Sequence, residues 1–113
     1  MTEDARFEAY ARLAVHVGLN LQPGQPLAVG ALVEHAPLAR AVAREAYRSG
    51  ARYVDVYYSD QHVRRAHIEA APDDTLGWAP PWLVHRLDRL GEEGGALMGI
   101  SGNPAIQIGR AHV

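Results

Sequence analysis

The chain is 113 residues long, 48% hydrophobic and formally −2 at pH 7, which is enough for one domain with a buried core and too apolar for a disordered tail. The near-neutral balance leaves no basic footprint for nucleic acid or an anionic membrane, and no apolar run approaches the length of a membrane span. Cysteine is absent, which excludes disulfides, thiolate metal sites and a thiol nucleophile. All eleven basic side chains are arginine, a bias that GC-rich coding explains without any anion-binding role. The acidic start Thr2-Glu3-Asp4 is unlike a signal peptide, and together these features fit a soluble cytoplasmic domain.

Glu3 to Val17 reads as a helix, with Phe7, Tyr10, Ala11, Ala14 and Val17 on one stripe, Leu13 beside it, and Gly18 closing it in the left-handed conformation. Gln22-Pro23-Gly24-Gln25 is a turn, because proline presets the second position and glycine accepts the positive φ that follows. Pro26-Leu27-Ala28-Val29 begins the first strand, an apolar run suited to a parallel sheet. Leu32 to Ala36 connects to a helix opened by Pro37, with Leu38, Ala41, Val42 and Ala46 buried, Arg40, Arg44 and Arg48 on another face, and Gly50 at its end. Arg52 to Tyr58 is the second strand, β-branched and aromatic throughout. Ser59 or Asp60 caps a third helix that runs to about Ala71, where Pro72 stops it. Asp73 to Ala79 is looser. Pro80-Pro81 opens a fourth helix whose expected buried positions are Trp82, Leu83, Leu87 and Leu90. Ala96 to Ser101 is the third strand. The order αβαβααβ predicts an α/β fold: a parallel sheet of about three strands flanked by helices, incomplete on its C-terminal side.

Ligands of open parallel sheets favour the carboxyl ends of the strands, where the candidates are Glu34 and His35, Ser59 and Asp60, and Ser101 and Asn103. A carboxylate with a histidine could do acid/base work. The stronger reading is more routine: Asp60 is a helix cap, His35 a loop residue and Asn103-Pro104 a turn. His62 and His67 stand five apart around Arg64 and Arg65, so they diverge on a helix and do not make the His-Glu-x-x-His zinc pair. The arginine stripe suits a solvated face more than a phosphate grip. Gly30 stands alone after the first strand, so the glycine turn of a dinucleotide site is missing and a nucleotide-dependent oxidoreductase half is disfavoured. No nucleophile elbow is present. Trp78 and Trp82 mark either a contact surface or core. Read this way, the chain has a sheet and a rim but no catalytic set.

The helix ending Val17-Gly18-Leu19-Asn20-Leu21-Gln22-Pro23-Gly24-Gln25, followed by a strand, resembles the opening of the M29 metallo-aminopeptidases. Glu34, Pro37-Leu38, Glu45-Ala46-Tyr47, Gly50-Ala51, Val54-Asp55-Val56, Ser59-Asp60, Arg64, Ile68-Glu69, Ala70-Ala71-Pro72 and Pro81-Trp82-Leu83 continue the similarity in order, from about Phe7 to about Pro104. The resemblance implies an enzyme that releases N-terminal amino acids from peptides with two divalent metal ions (Zn, Co or Mn) and forms a homodimer. The family's ligands are carboxylates, histidines and a tyrosine of a C-terminal domain, so none of its catalytic, cofactor-binding or metal residues lands on this chain. What is similar is the N-terminal α/β domain, expected over residues 1–107 and expected to be inactive alone.

Ile108-Gly109-Arg110-Ala111-His112-Val113 is identical to a translation of a widely used sequencing-library adapter, and a CAG codon at Gln107 supplies the two bases that must precede it. Residues 108–113 are therefore expected to be an artefact, and His112 is not a candidate ligand. The rival expectation is a free-standing, flavodoxin-like binding or regulatory module with a rim at Glu34, Asp60 and Asn103.

Overall fold

A computed structural model describes residues 2–102 and 110–112 of the chain. In chain order the elements are α1 (Glu3–Leu13), a π-helical turn (Ala14–Gly18), β1 (Leu27–Leu32), a 3-10 turn (Val33–His35) and α2 (Ala36–Arg48). Then follow β2 (Val54–Ser59), α3 (Gln61–Ala70), a second 3-10 turn (Asp73–Thr75), α4 (Pro81–Glu92), β3 (Ala96–Ser101) and the short β4 (Arg110–His112). The sheet order is β2-β1-β3-β4. β1 is parallel to both β2 and β3, and β4 is antiparallel to β3. The α/β architecture with a parallel three-stranded sheet is as the sequence predicts; β4 is an addition, and it lies in the segment expected to be an artefact.

Thr2 starts α1, its hydroxyl accepting from Ala5 N at 3.1 Å, while Glu3 and Asp4 occupy the positive end of the helix. Phe7 and Ala11 are buried as expected, but the next core side chain is Val15, and Val17 and Leu13 are exposed. The reason is the π turn: Leu19 N donates to Ala14 O at 2.8 Å, five residues back. A wider turn advances each residue by a smaller angle, so Val15 stays over the core and Val17 swings out. It also carries the helix past its expected end. Gly18 lies inside the wide turn, and the left-handed residue is Asn20, at φ 49°.

The following turn is built as its sequence requires. Gln25 N donates to Gln22 O at 3.1 Å, and Gly24 takes φ 82°. Gly24 N then reaches Gly50 O at 2.8 Å, and Gln25 Nε2 reaches Gly94 O at 2.9 Å, so this turn ties together the amino-terminal ends of all three parallel strands. β1 begins at Leu27 and continues to Leu32, the first residue of the expected connection, because β2 offers it ladder partners as far as Ser59. β2 begins two residues later than expected, at Val54, whose N–H donates to Tyr47 Oη at 2.9 Å.

One face of the sheet carries the core. Leu27, Val29, Ala31, Val54, Met98 and Ile100 pack against Phe7, Ala11 and Val15 of the N-terminal helix and Leu38, Val42 and Ala46 of α2. The α2 stripe is as predicted. It also buries Ala39 and Glu45, and Glu45 Oε2 lies 2.6 Å from His16 Nε2.

The opposite face is different. By register it carries Ala28, Gly30, Asp55, Tyr57, Leu97 and Gly99. α3 and α4 stand on this side, yet neither helix buries a single residue. Trp82, Leu83 and Leu87, expected in the core, are 66%, 49% and 44% exposed. Their helical spacing is apolar, but the sheet surface opposite them is mostly small or polar, and Leu97, its one large aliphatic side chain in this register, is itself 46% exposed. Amphipathicity shows which face seeks burial, and only the tertiary structure shows whether burial is supplied.

Candidate functional site at the carboxyl ends of the strands

The parallel strands end around an open groove of about 1520 Å³. β1 contributes Gly30, Ala31 and Leu32, β2 contributes Tyr57, Tyr58 and Ser59, and β3 contributes Ile100 and Ser101, followed by Gly102. Glu34, from the turn after β1, enters from one side; Asp60, Gln61, Val63, Arg64 and His67 of the α3 segment and Leu83 of α4 form the far wall. This is the crevice that parallel α/β topology favours for ligands.

Of the sequence candidates, Glu34, Ser59, Asp60 and Ser101 are brought to this groove. Asp60 also caps α3, its Oδ1 accepting from His62 N at 3.0 Å. His35 is not a loop residue but is buried, and its Nε2–H donates to Gly102 O at 2.9 Å, joining the end of β1 to the end of β3. Asn103 and Pro104 lie outside the described residues. His62 and His67 are exposed on α3, with His67 Nε2 lying 3.1 Å from Thr75 Oγ1. Arg40, Arg44 and Arg48 are exposed on α2, on the opposite side of the sheet, where Arg48 Nη1 lies 3.7 Å from Glu45 Oε1. Trp78 and Trp82 are both exposed and meet edge to face, with ring centroids 5.7 Å apart.

Beside these, Gly30 and Tyr57 line the groove and are held in a contact with Arg86 and Asp55 that sequence reasoning missed. Gly30 leaves room for the Tyr57 ring: a Cβ at position 30 would lie 2.7 Å from the ring's outer atoms. Over that ring sits Arg86 of α4, its guanidinium carbon 4.9 Å from the centroid. Arg86 Nε and Nη2 donate to Asp55 Oδ2 and Oδ1 at 2.8 and 2.5 Å. The hydrogen-bonded Asp55 carboxylate pushes Arg86 above the ordinary arginine range. The only sequence signal was a glycine in mid-strand, which marks a close approach of other groups.

The groove offers two carboxylates, a guanidinium, an imidazole, two serine hydroxyls and two tyrosine faces, a set able to hold a polar chain by hydrogen bonds. Among the described residues no three His, Asp or Glu side chains cluster so as to hold a metal ion. No helix there is long and apolar enough to cross a membrane.

Comparison with known proteins agrees with this architecture. Residues 3–109 match the family model of the thermophilic metalloproteases, M29. Aminopeptidase T of Thermus thermophilus is 38% identical over 112 residues, covering 92% of this chain and 28% of that protein. Aminopeptidase 2 of Geobacillus stearothermophilus is 36% identical over 97 residues, covering 86% of this chain and 24% of the relative. The structure of wild-type AmpT from Thermus thermophilus superposes with a TM-score of 0.80 at 37% identity, over 90% of this chain and 26% of the other. The chain thus spans about a quarter of the length of the curated relatives it matches. With its sheet, its crossover helices and nearly its whole length accounted for, the chain belongs to the M29 family of thermophilic metalloproteases.

Proposed function

We propose that this chain is the N-terminal α/β domain of a metal-dependent aminopeptidase that releases N-terminal amino acids from peptides. The family match over residues 3–109, to relatives that are aminopeptidases about four times as long, carries the reading. In it, the groove at the strand ends forms one wall of the substrate cleft. Two divalent ions (Zn, Co or Mn) belong to the remainder of the enzyme, where they supply polarisation of the scissile carbonyl and an activated water. On this reading the part of residues 1–107 is to bind and enclose, and the 113-residue chain alone is inactive. The complete enzyme is a cytoplasmic homodimer.

The domain itself spans 1–107, and residues 108–113 derive from an adapter. Identity over six residues, with the codon constraint at Gln107, supports this; the pairing of Arg110–His112 with β3 favours the opposite reading, that the segment is native.

One experiment tests both. The source locus is amplified from codon 1 and sequenced past codon 107, and its product is assayed for amino-acid release from peptides before and after chelation and metal re-addition. The expected result is a frame that continues into a long domain, with release that depends on metal. A genomic stop after Val113, or metal-dependent release by the 113-residue chain, overturns the reading.

A further inference from the structure

α3 and α4 are well-formed helices that bury nothing. Val63, Trp82, Leu83, Val84 and Leu87 are all between 44% and 67% exposed, and Leu97 on the same side of the sheet is 46% exposed. Isolated surface leucines need no explanation, but a run of this size on two adjacent helices and the strand face behind them does. The two sides of the sheet contrast sharply: α1 and α2 cover one with a closed core, whereas the arm of α3 and α4 grips the other through the Arg86–Asp55 pair and leaves its leucines open.

From this we propose that the open face of α3, α4 and β3 is the seat of the polypeptide that follows this domain in the full-length enzyme. The inference rests on the aminopeptidase reading above and adds to it the docking surface. Two observations select this occupant. The relatives carry about three quarters of their length beyond the stretch matched here, so a large body of chain is available. Ser101 and Gly102, the last described residues of the proposed domain 1–107, line the groove that α3 and Leu83 border, which places the C-terminal side of that domain beside the open face.

The test uses the natural absence of cysteine from these residues. Leu87→Cys is placed on α4 in the full-length enzyme and in the 113-residue chain, with Arg44→Cys on the exposed side of α2 as control. A maleimide probe is applied to native protein, and modification is read at each engineered position by peptide mass mapping. The expected result is at least a tenfold slower modification of Leu87→Cys in the full-length enzyme than in the short chain. The slowing persists when the enzyme is diluted to monomers, and Arg44→Cys reacts equally in both. Val84→Cys, one turn earlier on α4, gives the same reading if Leu87→Cys fails to fold. Rapid labelling at α4 in an active full-length enzyme overturns the inference and leaves the aminopeptidase reading standing. Protection lost on dilution assigns the face to a second copy and also overturns it. Protection in a full-length protein without peptidase activity upholds the docking surface while removing the function.

Discussion

Arg86 of α4 holds Asp55 of β2 with two parallel hydrogen bonds while lying over the ring of Tyr57, two residues further along the same strand. Both charged side chains are more than one-third exposed, so solvent screens the pair and its worth is modest. In a double-mutant cycle of Arg86→Ala and Asp55→Ala, the coupling is expected to be about 0.5–1 kcal/mol, the upper part of the range for exposed pairs, because the contact is bidentate. Urea unfolding of the four proteins measures it, and a coupling of zero would show that the arm is not held by this contact.

Gly30 and Tyr57 form a second coupled pair. Adding a methyl group at position 30 meets the outer end of the Tyr57 ring, which must then turn away and give up its place under Arg86. Gly30→Ala is expected to cost about 1 kcal/mol, the lower end of the overpacking range, since a ring tip moves more readily than backbone. In a Tyr57→Ala background the same change should cost nothing, because the clash has been removed. Thermal denaturation of the two single variants and the double variant decides this.

The unequal faces of the sheet predict unequal sensitivity to truncation. Leu38 is 1% exposed in the core between α2 and the sheet, so Leu38→Ala should cost about 2–5 kcal/mol, a large part of the stability of a small domain. Leu87→Ala in the same 113-residue chain should stay within about 0.5 kcal/mol of the parent. Equal losses in urea titrations would mean that α4 is packed in solution after all.

His35 should be a structural tie, with no catalytic part. Its ring is buried and donates to the carbonyl of Gly102. His35→Ala is expected to lose about 1–3 kcal/mol by stranding that carbonyl, and His35→Gln, which keeps a donor, should lose less. Hydrogen exchange at the ends of β1 and β3 provides the local readout, with faster exchange expected in the alanine variant.

Metal should not stabilise the short chain. A ligand that binds only the folded state raises the unfolding midpoint, and the proposed function assigns the metal ions to the remainder of the enzyme. The midpoint of the 113-residue chain is therefore expected to be unchanged by Zn, Co or Mn ions. A saturable rise would reveal a site in this domain and would contradict the placement of the metal centre elsewhere in the enzyme.

The sequence by itself determined the order of elements, because each signal involved is local. Pro23-Gly24 marked a turn, Gly50 took its positive φ at the end of α2, and Ser59-Asp60 marked the cap of α3, which Asp60 supplies. The stripe of Leu38, Val42 and Ala46 was legible because a regular helix keeps its phase. Phase was lost where the backbone departed from regularity, so the π turn exchanged Val17 for Val15. The tertiary structure alone decided which apolar faces found partners. Leu38 and Leu87 each lie on the apolar stripe of an amphipathic helix, yet one is buried against the sheet and the other is exposed. It also decided that Glu34, Ser59, Asp60 and Ser101 share a groove while His35 is buried and bonded to Gly102 O. The Gly30–Tyr57–Arg86–Asp55 contact spans three elements distant in sequence. No local pattern encodes such a contact, because it arises from strand register and helix placement.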